Sequence, residues 1–220
     1  MTAPEAPDHY YIPKERIGNV IDAIYAFSMT LLVTTISIPP KYEHAATKEP
    51  VQAIVVSILP DLLHYFIAFI ILAIFWYFEH QRFRHLLHFD RPLLVMNIAS
   101  LAFVCLIPFT TNVAGDYPFD TYGAMLFEAN IFIIGIIAFI QWQYIRENRA
   151  GLIPAFGDER IRREIRWALV FPILAVIGFA LAWLRIPTSA GIFLLAPLIM
   201  AYLFWKDPAT QNTGKDLPDT

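Results

Sequence analysis

The sequence predicts an all-α protein that crosses the membrane several times. Of its 220 residues, 57% are hydrophobic and only 16% are charged, whereas a soluble domain carries about a quarter charged residues. The mean hydropathy is +0.52, and the charges cluster between apolar runs of the roughly 20 residues that a membrane-spanning helix needs. The single cysteine, Cys105, excludes an intrachain disulfide, and its apolar surroundings predict a small core residue.

Six apolar segments are predicted to span the bilayer, near 17–38, 58–78, 92–111, 122–144, 167–184 and 188–205. Pro60 is expected to interrupt the longer second block, so residues 48–57 are assigned to an outer interfacial segment. The resulting organisation is a cytoplasmic N-terminal segment over 1–15, a six-span membrane domain over 16–205 and a disordered cytoplasmic tail over 206–220.

The basic residues predict the orientation. With six spans, 13 of the 16 lysines and arginines fall on the side of the two termini and 3 on the other. Because basic residues concentrate on the cytoplasmic side of membrane proteins, both termini are expected inside the cell. The fourth connection holds the arginine-rich stretch "DERIRREIRW". It is interpreted either as a solvated extension of the fifth span or as a contact for anionic lipid.

The first span, "RIGNVIDAIYAFSMTLLV", carries a stripe at helical spacing, formed by Ala23, Phe27, Thr30 and Thr34. These positions fall on one narrow helix face. Small and hydroxyl residues are common where membrane helices pack together. A stripe of this kind also suits the wall of a pore, and periodicity alone leaves both interpretations open.

Two charged residues accompany the stripe. Asp22 lies about 100° around the helix from it, and a carboxylate at that depth is costly unless it is paired. Arg16 is six residues earlier, which is not a spacing that pairs side chains on one helix. Each residue is therefore expected to find its partner on another segment.

Three stretches in order resemble the family of the lysosomal potassium channel, transmembrane protein 175. "RIGNVIDAIYAFSMTLLV" is similar to its first-span motif Arg-x-x-x-Phe-Ser-Asp, "FWYFEHQRFRHL" to the Trp-and-His end of its second span, and "NIASLAFVCLIPFTTNVAGDYP" to its third span. The resemblance covers about residues 16–145 and points to a member with a single six-span unit. Val20 and Ile21 replace the phenylalanine and serine of the motif.

The resemblance implies a homotetrameric, modestly potassium-selective channel without the usual carbonyl filter. It assigns the pore lining to the first helix, at Ala23, Phe27, Thr30 and Thr34, with Phe27 at the constriction. It also implies a helix-positioning network of Arg16, Asp22 and His80. Phe27 and Thr34 depart from the aliphatic residues usual in the family. Expected partners are other copies of the chain, membrane lipid and permeant monovalent cations, with no nucleic acid and no cofactor.

A second pair of polar residues leaves another function open. His64 and Glu128 are predicted at similar depth, about 9 Å inside the outer surface. They form either a structural pair or a proton-sensitive pair, because histidine beside a carboxylate titrates near neutral pH. The alternative function is therefore a secondary, proton-coupled transporter. An enzyme is not expected, since the sequence shows no nucleophile and base, no phosphate-binding loop and no metal-binding motif.

Overall fold

The computed structural model describes residues 14–37, 50–117, 120–186 and 189–205 as a helical bundle without strands in those ranges. Its helices are α1 (Lys14–Leu31), α2 (Val51–Ser57), α3 (Leu59–His85), α4 (Arg91–Asp116), α5 (Thr121–Glu147), α6 (Arg149–Leu152), α7 (Asp158–Ala168), α8 (Val170–Trp183) and α9 (Leu195–Trp205). The predicted tail and nearly all of the predicted N-terminal segment lie outside the described residues.

Five helical stretches are long and apolar enough to cross a bilayer. They are Lys14–Thr35, Leu59–His85, Arg91–Asp116, Thr121–Glu147 and Asp158–Trp183. The sixth predicted span corresponds to a shorter apolar stretch, Ser189–Leu203, whose first part is a 3-10 turn over Ser189–Leu194. The predicted class of an all-α membrane protein is confirmed, while the count of six crossing helices stays a prediction.

The second apolar block divides near Pro60, as predicted. Within the expected outer segment the structure places α2, and Pro60 stands in the first turn of α3, where its missing N–H removes no helical hydrogen bond. At its other end α3 continues to His85 and passes the predicted limit of 78 by two turns. Arg82, assigned from sequence to a connection, therefore lies inside the helix and is only 5% exposed.

The fifth predicted span, 167–184, is built from two helices rather than one. α7 ends at Ala168 and α8 begins at Val170, with Leu169 between them. Pro172 explains the break, because it cannot donate a backbone hydrogen bond to the carbonyl of Ala168. Its ring instead packs against Gly135 of α5, where a Cβ would lie 2.5 Å from a proline carbon. Glycine at 135 thus lets α5 and α8 approach closely.

α1 lies at one side of the bundle. It packs on α3 and α4, while α5 packs on α4 and α8. The contact with α3 is close at Gly18, where an added Cβ would meet the ring of Phe83 at 2.9 Å. The α-helix ends at Leu31 and continues as a 3-10 turn over Leu32–Thr35. The first predicted span, near 17–38, thus corresponds to Lys14–Thr35, and residue 38 lies outside the described ranges.

Candidate functional site: the exposed face of α1

The predicted stripe lies on the side of α1 that faces away from the core. Ala23, Phe27, Thr30 and Thr34 are all exposed, and the ring of Phe27 is 62% exposed. The opposite side of the same helix is buried and is formed by Ile17, Ile21, Tyr25, Ser28 and Leu32. The helix therefore has one anchored side and one side that the subunit leaves open.

The open side of α1 mixes apolar side chains such as Val20 and Val33 with polar ones. Besides the two threonines of the stripe, it exposes Arg16, Asn19 and Ser37. Polar and charged side chains inside a membrane face water-filled cavities or the interior of a bundle. Its threonines and Asn19 are therefore suited to contact with water or with another protein surface.

Both threonine hydroxyls of the stripe donate to the backbone. Thr30 Oγ1 donates to the carbonyl of Phe27 at 2.8 Å, and Thr34 Oγ1 donates to the carbonyl of Leu31 at 2.6 Å. A hydroxyl has one proton to donate and two lone pairs that accept. Because the proton is used inside the helix, the lone pairs of each exposed hydroxyl remain available to a cation or to water.

Asp22 is held by the side chains of α3. Trp76 Nε1 donates to Asp22 Oδ1 at 2.8 Å, and His80 Nδ1 lies 4.0 Å from the same oxygen. The rings of Trp76 and His80 pack one helical turn apart, with centroids 5.5 Å apart. The carboxylate remains 47% exposed, so it anchors α1 to α3 and still presents an oxygen to the outside of the subunit.

Arg16 is not part of this cluster within the subunit. Among the described residues its side chain forms no hydrogen bond or ion pair. The structure thus brings together Asp22 and His80 of the predicted network and leaves Arg16 on the open side of α1. Trp76, which sequence reasoning did not assign, is the residue that bonds to Asp22.

A buried polar cluster supports α1 from behind. Tyr25 is 1% exposed and faces an ion pair between Glu79 and Arg82 on α3. Asn97 of α4 donates to Glu79 Oε2 at 3.4 Å and so links α4 to α3. A cavity of about 30 Å³ adjoins Tyr25, Glu79, Arg82 and Ser100, enough for about one water molecule.

The second predicted pair is not brought together. His64 Nδ1 lies 2.9 Å from the carbonyl of Pro60 on its own helix. Glu128 is fully buried against Gly178 of α8, where any side chain would collide with the carboxylate, and near Ser189. No hydrogen bond or ion pair joins His64 to Glu128 in the described ranges.

The structure also bears on Cys105 and on metal binding. Cys105, predicted to be a core residue, is exposed on α4, so that prediction is wrong for the single subunit. In the described part of the chain, no three side chains of the metal-binding types form a group that could hold an ion.

Comparisons with known proteins show similarity to ion channels of one family. Residues 16–108, which contain α1, α3 and most of α4, match the family model described as endosomal/lysosomal potassium channel TMEM175. A potassium channel of Streptomyces collinus is 24% identical over 190 residues, which cover 84% of this chain and 85% of that one. The chain is thus similar in sequence to proteins of the TMEM175 family.

The relatives differ from one another in length and in the ion that they are named for. The bovine endosomal/lysosomal proton channel TMEM175 is 26% identical over 207 residues, or 89% of this chain. Those residues are 43% of the bovine protein, so this chain spans less than half the length of such relatives. The fold matches the crystal structure of a lysosomal potassium-selective channel TMEM175 homolog from Chamaesiphon minutus. The superposition has a TM-score of 0.73 and a sequence identity of 22%, and it covers 86% of this chain and 97% of that one.

Proposed function

We propose that the protein is a homotetrameric cation channel that prefers potassium, with one α1 helix from each subunit around a central pore. The observation that carries the proposal is the open side of α1, which presents Phe27 and two threonines at helical spacing and is left uncovered by the subunit. A ring of identical helices related by rotation closes around such a face. The potassium channel names of the bacterial relatives support the ion.

Phe27 would form the constriction. It is the largest side chain of the stripe and projects from α1, so four rings would narrow the pore and resist wetting. An ion passing them must shed part of its water. Potassium holds its water less strongly than sodium, which favours potassium at a dehydrating constriction.

Thr30 would supply compensating oxygens next to that constriction. Its hydroxyl proton is donated to the Phe27 carbonyl, so its lone pairs are directed to the exposed side. Four such oxygens would replace part of the ion's hydration shell, as the carbonyl rings of other channels do. With one oxygen from each subunit, we expect modest selectivity.

The cluster of Asp22, Trp76 and His80 would fix the rotation of α1 and thus decide which residues face the pore. Arg16 needs an anionic partner, because four unpaired arginines at a cation pathway would repel the ion. The exposed oxygen of Asp22 in a neighbouring subunit is the proposed partner. Both termini are placed on the cytoplasmic side of the cell membrane, in keeping with the distribution of arginines.

Single-channel recording of the purified protein in a lipid bilayer tests the proposal. Unitary current steps and a reversal potential that follows the potassium gradient are expected. Slow flux without unitary steps would instead support the transporter. Because the mammalian relatives are named proton channels, a pH gradient in the same recording determines whether protons also permeate.

A further inference from the structure

A large apolar groove opens on the outside of the subunit between α3 and α9. Its volume is about 560 Å³, and its walls include Phe69, Ala73 and Tyr77 of α3 and Met200 of α9. Trp167, at the end of α7, closes one end. This volume falls within the range of about 300–1,000 Å³ typical of ligand sites.

The length of the groove matches one leaflet of a bilayer. The α3 residues that line it run from Phe69 to Phe78, or about 14 Å at 1.5 Å per residue. The hydrocarbon core is about 30 Å thick, so one leaflet is about half of that. Since Phe69 lies near the middle of α3, the groove extends from the bilayer centre to the arginine-rich end of the bundle. An acyl chain of a lipid in this leaflet runs between the same two levels, from the headgroup boundary to the bilayer centre.

The α3 face that lines the groove becomes basic where the groove ends. Tyr77, Gln81 and Arg84 follow one another at spacings of four and three, and Gln81 Nε2 donates to the Tyr77 hydroxyl at 2.9 Å. Arg84 is exposed, and its guanidinium forms no ion pair with a described residue. The ammonium of Lys14 lies 3.3 Å from the backbone carbonyl oxygen of Arg84.

A second cation lies at the α7 wall of the same end. The guanidinium of Arg163 stands over the ring of Trp167 at 5.2 Å and is paired with Glu164 at 3.7 Å, so Arg84 is the residue left to supply the charge preference. The Trp167 ring lines the groove. Tyrosine and tryptophan side chains at this depth are typical of the headgroup boundary. An apolar channel one leaflet long that ends among arginines is complementary to a lipid with an anionic headgroup.

We propose that this groove binds one anionic phospholipid, with an acyl chain between α3 and α9 and the headgroup phosphate at Arg84. Arg84 supplies the charge preference, and Ala73 leaves the space that the chain fills. The inference does not depend on ion conduction, because it concerns the outer surface of the subunit.

Native mass spectrometry of the purified full-length assembly, titrated with phosphatidylglycerol or with phosphatidylcholine of the same chains, tests this site. Arg84→Gln should lower phosphatidylglycerol binding about fivefold, the effect of one arginine at an anionic surface, and leave phosphatidylcholine binding unchanged. Ala73→Phe should lower the binding of both lipids. The matched controls are Arg162→Gln on the exposed side of α7 and Ala180→Phe on the exposed side of α8.

Three results would overturn the proposal. Arg84→Gln and Arg162→Gln could weaken phosphatidylglycerol binding equally, which would reduce the effect to general surface charge. Ala73→Phe could leave lipid binding unchanged, which would exclude the groove. It could also dissociate the assembly without changing the lipid bound per subunit, which would make the groove a contact with a second copy of the chain. Because Arg84 is exposed, its variant should fold even if Ala73→Phe does not.

Discussion

α1 and α8 each expose one side of a helix, and the two sides differ in chemistry. The exposed side of α8 consists of Ile173, Val176, Ile177, Phe179, Ala180 and Trp183, all of them apolar. The exposed side of α1 combines an aromatic ring with threonine, asparagine and arginine. Both helices belong to stretches that are long and apolar enough to cross a bilayer, Lys14–Thr35 and Asp158–Trp183. The proposed channel accounts for the difference by placing α8 against lipid and the mixed face of α1, which also exposes Val20 and Val33, around the pore.

An aspartate introduced on the exposed side of α8 or of α1 should give the largest difference in the yield of folded protein. Val176→Asp places a carboxylate against lipid tails, which costs about 2.5–3.5 kcal/mol at the centre of a membrane helix. Ala23→Asp places it in a polar, hydrated surface and should cost far less. The yield of monodisperse protein after detergent extraction measures the difference. Equal losses for both variants would remove the distinction between the two faces.

Loss of the Asp22 carboxylate should disturb the orientation of the α1 face. Asp22→Ala deprives Trp76 Nε1 of its acceptor, and we expect a loss of about 1–2 kcal/mol, because a hydrogen bond to a half-exposed charge is worth less than a buried one. The amount of folded tetramer should fall more than the ion preference changes, as measured by size-exclusion chromatography and bilayer recording. Normal assembly with altered permeability would show that Asp22 acts on the ion instead.

Phe27 and Phe179 provide a matched pair, since each is an exposed phenylalanine on one of the two faces. Phe27→Ala should widen the constriction, raise the unitary conductance and lower the preference for potassium over sodium. Phe179→Ala should leave both properties unchanged. Reversal potentials under mixed potassium and sodium gradients give the comparison. If Phe27 packs in a buried interface instead, its replacement costs about 3–5 kcal/mol and reduces stable protein without changing selectivity.

Thr30→Val should have the smallest effect. The substitution keeps the shape of the side chain and removes the exposed hydroxyl oxygen. We expect a partial loss of potassium preference with little change in conductance. Thr35→Val is the control, because Thr35 also donates to the backbone but is buried. Identical selectivity in the two variants would exclude the Thr30 hydroxyl as an ion contact.

The sequence was most informative where the pattern lies within one helix. The stripe from Ala23 to Thr34 could be predicted because a helical period separates the two sides of α1. The Asp22 partner could not be identified with the same means, since Trp76 is 54 residues away and its indole N–H lies within an apolar run.

Two features of the fold depend on contacts between helices and could not be predicted from one segment alone. Arg82 was assigned to a connection because basic residues usually mark the edge of a span, but Glu79 lies one turn before it and neutralises it inside the bundle. The break at Leu169 was missed because an apolar run continues through it. Glu79 is itself held by Asn97 of α4, which keeps its ion pair with Arg82 inside the bundle. Pro172 packs against Gly135 of α5 at the break between α7 and α8.

The most direct test of the central claim is whether α1 lines the ion pathway. The native chain has one cysteine, so Cys105→Ala gives a background in which cysteine replaces either Thr30 or Ala180, one on each exposed face. Bath cadmium binds thiolates and should block the current of the Thr30→Cys channel, where four sulfurs would converge, and leave the Ala180→Cys channel conducting. Unblocked current through a well-folded Thr30→Cys channel, or equal block of both variants, would contradict the assignment of the pore to α1.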